Sequence, residues 1–207
     1  MASDLRNQGG AAAHRNRRAL LVGAVLALAV LAAGAAIIPK LRAAAADSFG
    51  KGDYILTATD GTPFTEDTLQ GQFSAVFFGF THCPEVCPTT LGDIGLWQEE
   101  LGPDADKLKV YFVTVDPERD TAALLGDYVG WLPNAIGVTG PRPEIDKALA
   151  AFHIFARRVP LSDGGYTMDH SAYVLLFGPD GLMFEPIGYG EATERAVDKI
   201  RRLMASG

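Results

Sequence analysis

Ser74-Ala75-Val76-Phe77-Phe78-Gly79-Phe80-Thr81-His82-Cys83-Pro84-Glu85-Val86-Cys87-Pro88-Thr89-Thr90 is the stretch that decides how this chain folds. Its first seven residues form a nearly continuous apolar run, the pattern of a strand covered on both faces. The two cysteines of the chain follow at once. Beyond them Leu91, Ile94, Trp97 and Leu101 recur at helical spacing, and Gly102-Pro103 ends the helix. A strand leading through a thiol loop into a helix belongs to an α/β domain, in which chemistry collects at the carboxyl ends of strands.

The flanking segments extend this pattern. Residues 54–57, the turn Asp60-Gly61 and residues 62–64 read as a hairpin. Residues 108–115 read as a second buried strand, closed by Asp116-Pro117. Helices are expected over 121–129, around Ile145, Ala148, Leu149 and Phe152, and along the face of Val197, Ile200, Leu203 and Met204. Residues 173–177 and 182–186, joined by Gly178-Pro179-Asp180-Gly181, form a further hairpin. The order has the form of a thioredoxin-like α/β domain with an amino-terminal hairpin, placed at residues 53–207.

The other end of the chain has a different character. Residues 19–38 are twenty in number and carry no charge. At about 1.5 Å per residue they are long enough to cross a bilayer core of roughly 30 Å. Arg6, Arg15, Arg17 and Arg18 precede them, whereas Lys40 and Arg42 are the basic residues just after. This bias keeps residues 1–18 in the cytoplasm and carries the domain across the membrane. A cleaved signal peptide is the competing reading, but its apolar core is shorter, about 7–15 residues. The expectation is a retained transmembrane anchor, a tether over 39–52, and a domain in the periplasm of a bacterial inner membrane. Such a space is oxidising, so a cysteine pair there can close to a disulfide.

The net charge is −7, and because the first 18 residues are basic, the rest is more acidic still. An acidic domain without a basic stripe does not suit nucleic acid. Nor can a phosphate-binding loop or a serine-type triad be made out.

Pro88 is best accommodated at the first helical position, which makes Cys87 the expected cap residue. Both sulfurs then lie at a helix amino terminus, whose partial positive charge favours thiolate. A disulfide across three intervening residues removes little chain entropy, so a purely stabilising bridge explains the pair poorly. Structural zinc wants four protein ligands. Two thiolates and one imidazole suit copper, with Cu(I) favoured by soft sulfur. Metal handling and dithiol exchange both remain open from the thiols alone.

Four histidines compete for the third place. His14 lies on the wrong side of the anchor. His82 adjoins Cys83, and adjacent side chains tend to point apart. His153 borders the apolar face of Ile145, Leu149 and Phe152 and reads as a packing residue. His170 stands just before the strand at 172–177, where it is either a strand-entry residue or a ligand. Asp169 is a candidate to orient it and Met168 a candidate soft donor.

Three segments together resemble the Sco/SenC family: 77–90 around the cysteines, 113–121 (Val113-Thr114-Val115-Asp116-Pro117-Glu118-Arg119-Asp120-Thr121), and 166–171 (Tyr166-Thr167-Met168-Asp169-His170-Ser171). The resemblance covers roughly 53–204, and Ala122 departs from it where a proline often stands. It implies a membrane-attached thioredoxin-like domain that binds one copper ion through Cys83, Cys87 and His170. It further implies a partner, the copper-accepting subunit of a terminal oxidase, together with a copper donor or thiol reductant. Copper delivery to the dinuclear centre of cytochrome c oxidase is the leading expectation. The alternatives are a thiol–disulfide reductase working on the acceptor's cysteines through Cys83 and Cys87, and a redox or copper sensor. The resemblance leaves the role of Asp116 open between capping the helix near Arg119, supporting the site and docking a partner.

Overall fold

The computed structural model describes residues 33–35, 37–38, 48–162 and 164–207. It divides into two units, Met1–Ala45 and Ala46–Gly207. In the first, residues 33–35 and 37–38 are helical. The rest of the expected anchor, residues 19–32 and 36, lies outside the described residues. Among the described residues no helix is long and apolar enough to cross a membrane.

The second unit is built on a seven-stranded mixed sheet in the order β2 (Pro63–Phe64), β1 (Leu56–Ala58), β5 (Ala135–Thr139), β4 (Leu108–Thr114), β3 (Phe73–Gly79), β8 (Tyr173–Phe177), β9 (Met183–Gly188). The expected first hairpin pairs β1 (Leu56–Ala58) with β2 (Pro63–Phe64) through Gly61, whose φ of 86° suits glycine. At the centre β3 (Phe73–Gly79), β4 (Leu108–Thr114) and β5 (Ala135–Thr139) run parallel. Their apolar runs are explained by burial: β3 is buried from Ser74 to its end, and so are the last five residues of β4. The hairpin of β8 (Tyr173–Phe177) and β9 (Met183–Gly188) adds antiparallel to β3. Helices α1 (Val86–Leu101), α2 (Ala122–Val129), α3 (Arg142–Ala151) and α4 (Thr193–Ser206) fall where their periodicity placed them. The fold is mixed α/β and thioredoxin-like.

Phe152, just past α3, joins the parts of the core. Its ring meets Phe78 of β3 at 5.1 Å, Phe177 of β8 at 5.7 Å and Tyr54 at 5.7 Å. The chain already belongs to this unit ahead of residue 53: Gly50 is buried, its N–H bonds the Ala151 carbonyl at 3.0 Å, and Phe49 packs on His153.

Three elements escaped the sequence pattern. β5 is short and punctuated by Pro133-Asn134 and Gly140-Pro141, so its apolar run is brief. β6 (Ala156–Pro160) and β7 (Tyr166–His170) pair with each other in a separate two-stranded sheet. Their sequence is too polar to announce a strand, because only one face of each meets the domain. His170 thus ends a strand of its own rather than merely preceding one.

Candidate metal centre

The cysteine loop leaves the carboxyl end of β3 and enters α1 earlier than the prolines suggest. Glu85 is the cap residue and Val86 the first helical one, so Cys87 lies inside the first turn instead of capping it. Pro88 is tolerated there because N–H groups of the first turn have no acceptor within the helix. Cys83 takes over the work of a cap: its Sγ accepts the backbone N–H of Cys87 at 3.4 Å.

The structure brings Cys83, Cys87 and His170 together, with Sγ, Sγ and an imidazole nitrogen all within 4.8 Å of one another. Cys87 is fully buried and Cys83 partly so, and both are free thiols. Cys87 Sγ lies 3.6 Å from His170 Nε2. The imidazole is oriented from behind, its Nδ1 being 2.9 Å from the Ser171 carbonyl oxygen. A carbonyl only accepts, so Nδ1 carries a proton there and the ring is held with Nε2 turned toward the sulfurs. The ring also meets the edge of Phe80 at 5.7 Å.

The other candidates are sorted by the same geometry. Asp169 does not orient His170; it points to the opposite side of the strand and accepts from Arg157 at 3.1 Å. His82 is half exposed and contacts Thr81 Oγ1 at 3.0 Å, outside the cluster. His153 adopts a φ of 53° and packs on Phe49. Met168 is buried and lines, with Cys83 and His170, an open cavity of about 260 Å³. Asp116 caps no helix: Thr121 Oγ1 receives the Leu124 N–H at the start of α2, at 3.2 Å.

The two sulfurs are electrically unlike. The Cys87 thiol beside it, then the His170 imidazole and the backbone N–H groups of Cys87 and Glu85, hold Cys83 down at about 3 against the opposing effect of burial. The same neighbour, now as a thiolate, and burial push Cys87 far up. The metal-free pair therefore keeps one proton between its sulfurs, with the charge on the more accessible one.

Asp116, whose role the sequence left open, and Asp120, which it did not single out, lie in the turn after β4. Asp116, buried, pairs with Arg119 and receives the Tyr166 hydroxyl at 2.9 Å. Asp120, also buried, receives Thr81 and Thr114 hydroxyls at 2.6 Å each. Acidic and basic residues crowded just after a buried strand were the available signal, but their partners are distant in sequence.

These features define a thioredoxin-like domain whose cysteine loop and hairpin histidine assemble a donor set for a soft metal. Residues 42–205 match the model of the SCO1/SenC family. Protein SCO2 homolog, mitochondrial, of Mus musculus is 34% identical over 161 residues, which cover 76% of this chain and 63% of the relative. Protein SCO1, mitochondrial, of Saccharomyces cerevisiae is 34% identical over 153 residues, covering 72% and 52%. The chain thus spans between about half and two thirds of the length of these curated relatives. Among solved structures, Bradyrhizobium japonicum ScoI with copper bound is 38% identical, with a TM-score of 0.68 over 75% of this chain and 99% of that one. Yeast Sco1 with copper bound is 33% identical, with a TM-score of 0.70 over 77% and 90%. The chain belongs to the SCO1/SenC family.

Proposed function

We propose that this protein binds one copper ion through Cys83, Cys87 and His170 and hands it to the copper-accepting subunit of a terminal oxidase. The observation that carries the reading is the convergence of two sulfurs and one correctly presented Nε2 within 4.8 Å. Two thiolates suffice for Cu(I), and the imidazole completes a set for Cu(II). The open cavity beside Cys83 and His170 leaves one side of the ion to an incoming ligand, which is what transfer between proteins requires. The relatives solved with copper bound support this assignment. We also infer that residues 19–38 anchor the chain, with residues 1–18 cytoplasmic, a short tether beyond the anchor and the domain in the periplasm; the arginine bias supports this.

A second reading has its own observation in favour. A partly exposed thiolate at Cys83 backed by a buried thiol at Cys87 is the arrangement that disulfide exchange uses: the first attacks, the second resolves. A reductase of the acceptor's cysteines would need both sulfurs but not the Nε2 lone pair.

The deciding experiment is an anaerobic Cu(I) competition titration of the reduced full-length chain. One tightly held copper, lost in Cys83→Ser and in Cys87→Ser, is the expected result. His170→Ala should weaken Cu(II) more than Cu(I). Unchanged copper retention in both cysteine variants would sink the site assignment. An absence of retained copper, with rapid reduction of an acceptor disulfide, would select the reductase.

A further inference from the structure

The two halves of the metal centre come from different sheets, joined where the chain passes from His170 into β8, the strand beside β3. The cysteines sit on the main sheet's β3–α1 connection, while His170 rides on β6–β7, a two-stranded sheet outside it. A hairpin of two strands is at best marginally stable in water by itself. The β8 end of the hairpin is fixed by the main sheet, so where the imidazole stands depends further on what holds the rest of β7.

The turn 116–120, directly after β4, fastens both halves. The Asp116 carbonyl accepts the N–H groups of Arg119 at 3.1 Å and Asp120 at 3.0 Å, closing the turn and sending its two carboxylates to different partners. One side of it grips the hairpin. Asp116 pairs with the Arg119 guanidinium and accepts the Tyr166 hydroxyl at 2.9 Å, and Arg119 Nη1 donates to the Tyr166 carbonyl at 3.0 Å. The guanidinium carbons of Arg119 and Arg158 lie 3.8 Å and 3.9 Å from the centre of the Tyr166 ring. Two cations that close can only occupy opposite faces, so the ring is held between them. Tyr166 opens β7 and His170 ends it, and residues four apart on a strand share a face. Holding Tyr166 thus sets the lateral position of His170.

The other side grips the cysteine loop. Asp120 Oδ2 accepts the Thr81 N–H at 3.1 Å, and Oδ1 its hydroxyl at 2.6 Å. Thr114 fixes the same carboxylate from below at 2.6 Å. Thr81 stands two residues ahead of Cys83.

We propose that the turn 116–120 is a positioning device for the metal centre, with Asp120 and Thr81 fixing the thiols and Asp116, Arg119 and Tyr166 fixing the imidazole. Its consequence for copper rests on the reading of the preceding section. Arg119 and Tyr166 are positioning residues; neither belongs to the metal donor set. Arg119 Nη2 is buried and has no acceptor among the described residues, so Nε and Nη1 make the hydrogen bonds of this guanidinium.

The test compares wild-type, Tyr166→Phe and Thr81→Val full-length protein. Tyr166→Phe removes one hydroxyl and keeps the stacked ring, so the fold is spared. Its Cu(II) affinity should fall about tenfold, the low end for partners that orient a ligand. The nitrogen coupling in the Cu(II) electron paramagnetic resonance spectrum should broaden, while Cu(I) affinity stays within about twofold. In metal-free protein the amides of β6 and β7 should exchange hydrogen about tenfold faster, those of β3 and β4 at the wild-type rate. Thr81→Val should instead weaken Cu(I) and Cu(II) together. An equal loss of both oxidation states in Tyr166→Phe, or unchanged exchange in β6–β7, would overturn the proposal. So would a Thr81→Val protein with wild-type Cu(I) affinity. Failure of the wild-type chain to bind copper would refute the functional reading instead, and the exchange rates would then decide whether the turn holds the hairpin.

Discussion

Replacing Gly79 by alanine should damage the fold and the metal centre together. Gly79 ends β3, and a β-carbon there would stand 2.7 Å from Phe112 Cε2 and 2.8 Å from Cys87 Sγ. Ordinary packing begins near 3.4 Å, so the ring or the sulfur must retreat by about 0.7 Å in a core packed to crystal-like density. Both groups are fully buried, and neither is the free end of a flexible chain. Overpacking of this kind costs about 1–3 kcal/mol. In a domain of this size that corresponds to a Tm lower by roughly 3–10 °C. Because one of the displaced atoms is a proposed ligand, Cu(I) affinity should fall by about tenfold or more. Gly137→Ala is the matched control: its β-carbon would meet Leu125 Cβ at 2.8 Å and Thr59 Cγ2 at 2.9 Å, with no ligand among its close neighbours. Thermal unfolding and Cu(I) competition should show a similar loss of stability in both variants and a loss of copper only in Gly79→Ala. Wild-type Cu(I) affinity in a Gly79→Ala protein destabilised as much as the control would refute the reasoning.

Two further predictions concern charge. In reduced, metal-free protein Cys83, held at about 3, is thiolate across neutral pH. Its alkylation by iodoacetamide should precede that of Cys87 and run at one rate from about pH 5 to 8; a rate climbing tenfold per pH unit would contradict the assignment of the charge. Glu118 is held at about 2, below an ordinary value of 4.5, chiefly by its hydrogen bond with Arg142. A depressed carboxylate stabilises the fold fully above the unfolded value and ceases to do so as pH falls toward the folded one. Glu118→Gln should therefore flatten the acid limb of a urea-denaturation series between about pH 4.5 and 2, and an unaltered limb would show the pair to be idle.

Much of the architecture could be read locally. The runs at β3 and β4 announce buried strands because both their faces are covered, and the spacing of Leu91, Ile94, Trp97 and Leu101 announces α1 because one side of it is. Asp60-Gly61 and Gly178-Pro179-Asp180-Gly181 mark turns through backbone chemistry that needs no tertiary context. β5 and the β6–β7 hairpin were not legible. One is too short for a pattern, and in the other Met168 joins the core while Arg157, Arg158 and Asp169 are exposed, which leaves too few apolar residues to announce a strand.

The metal centre divides along the same line. That the thiols share one loop at the mouth of a helix follows from seven consecutive residues and the end of β3, so the sequence by itself determined that half. That His170 rather than His82 or His153 joins them was decided by tertiary structure, because 83 residues separate it from Cys87 and only sheet topology closes that distance. The resemblance to known relatives named the right histidine, but the physical reason lies in the fold. The Ser171 carbonyl turns the ring, Asp169 is spent on Arg157, and Tyr166 holds the strand. Contacts between residues far apart along the chain depend on which strands lie side by side, and no local pattern of residues encodes that order.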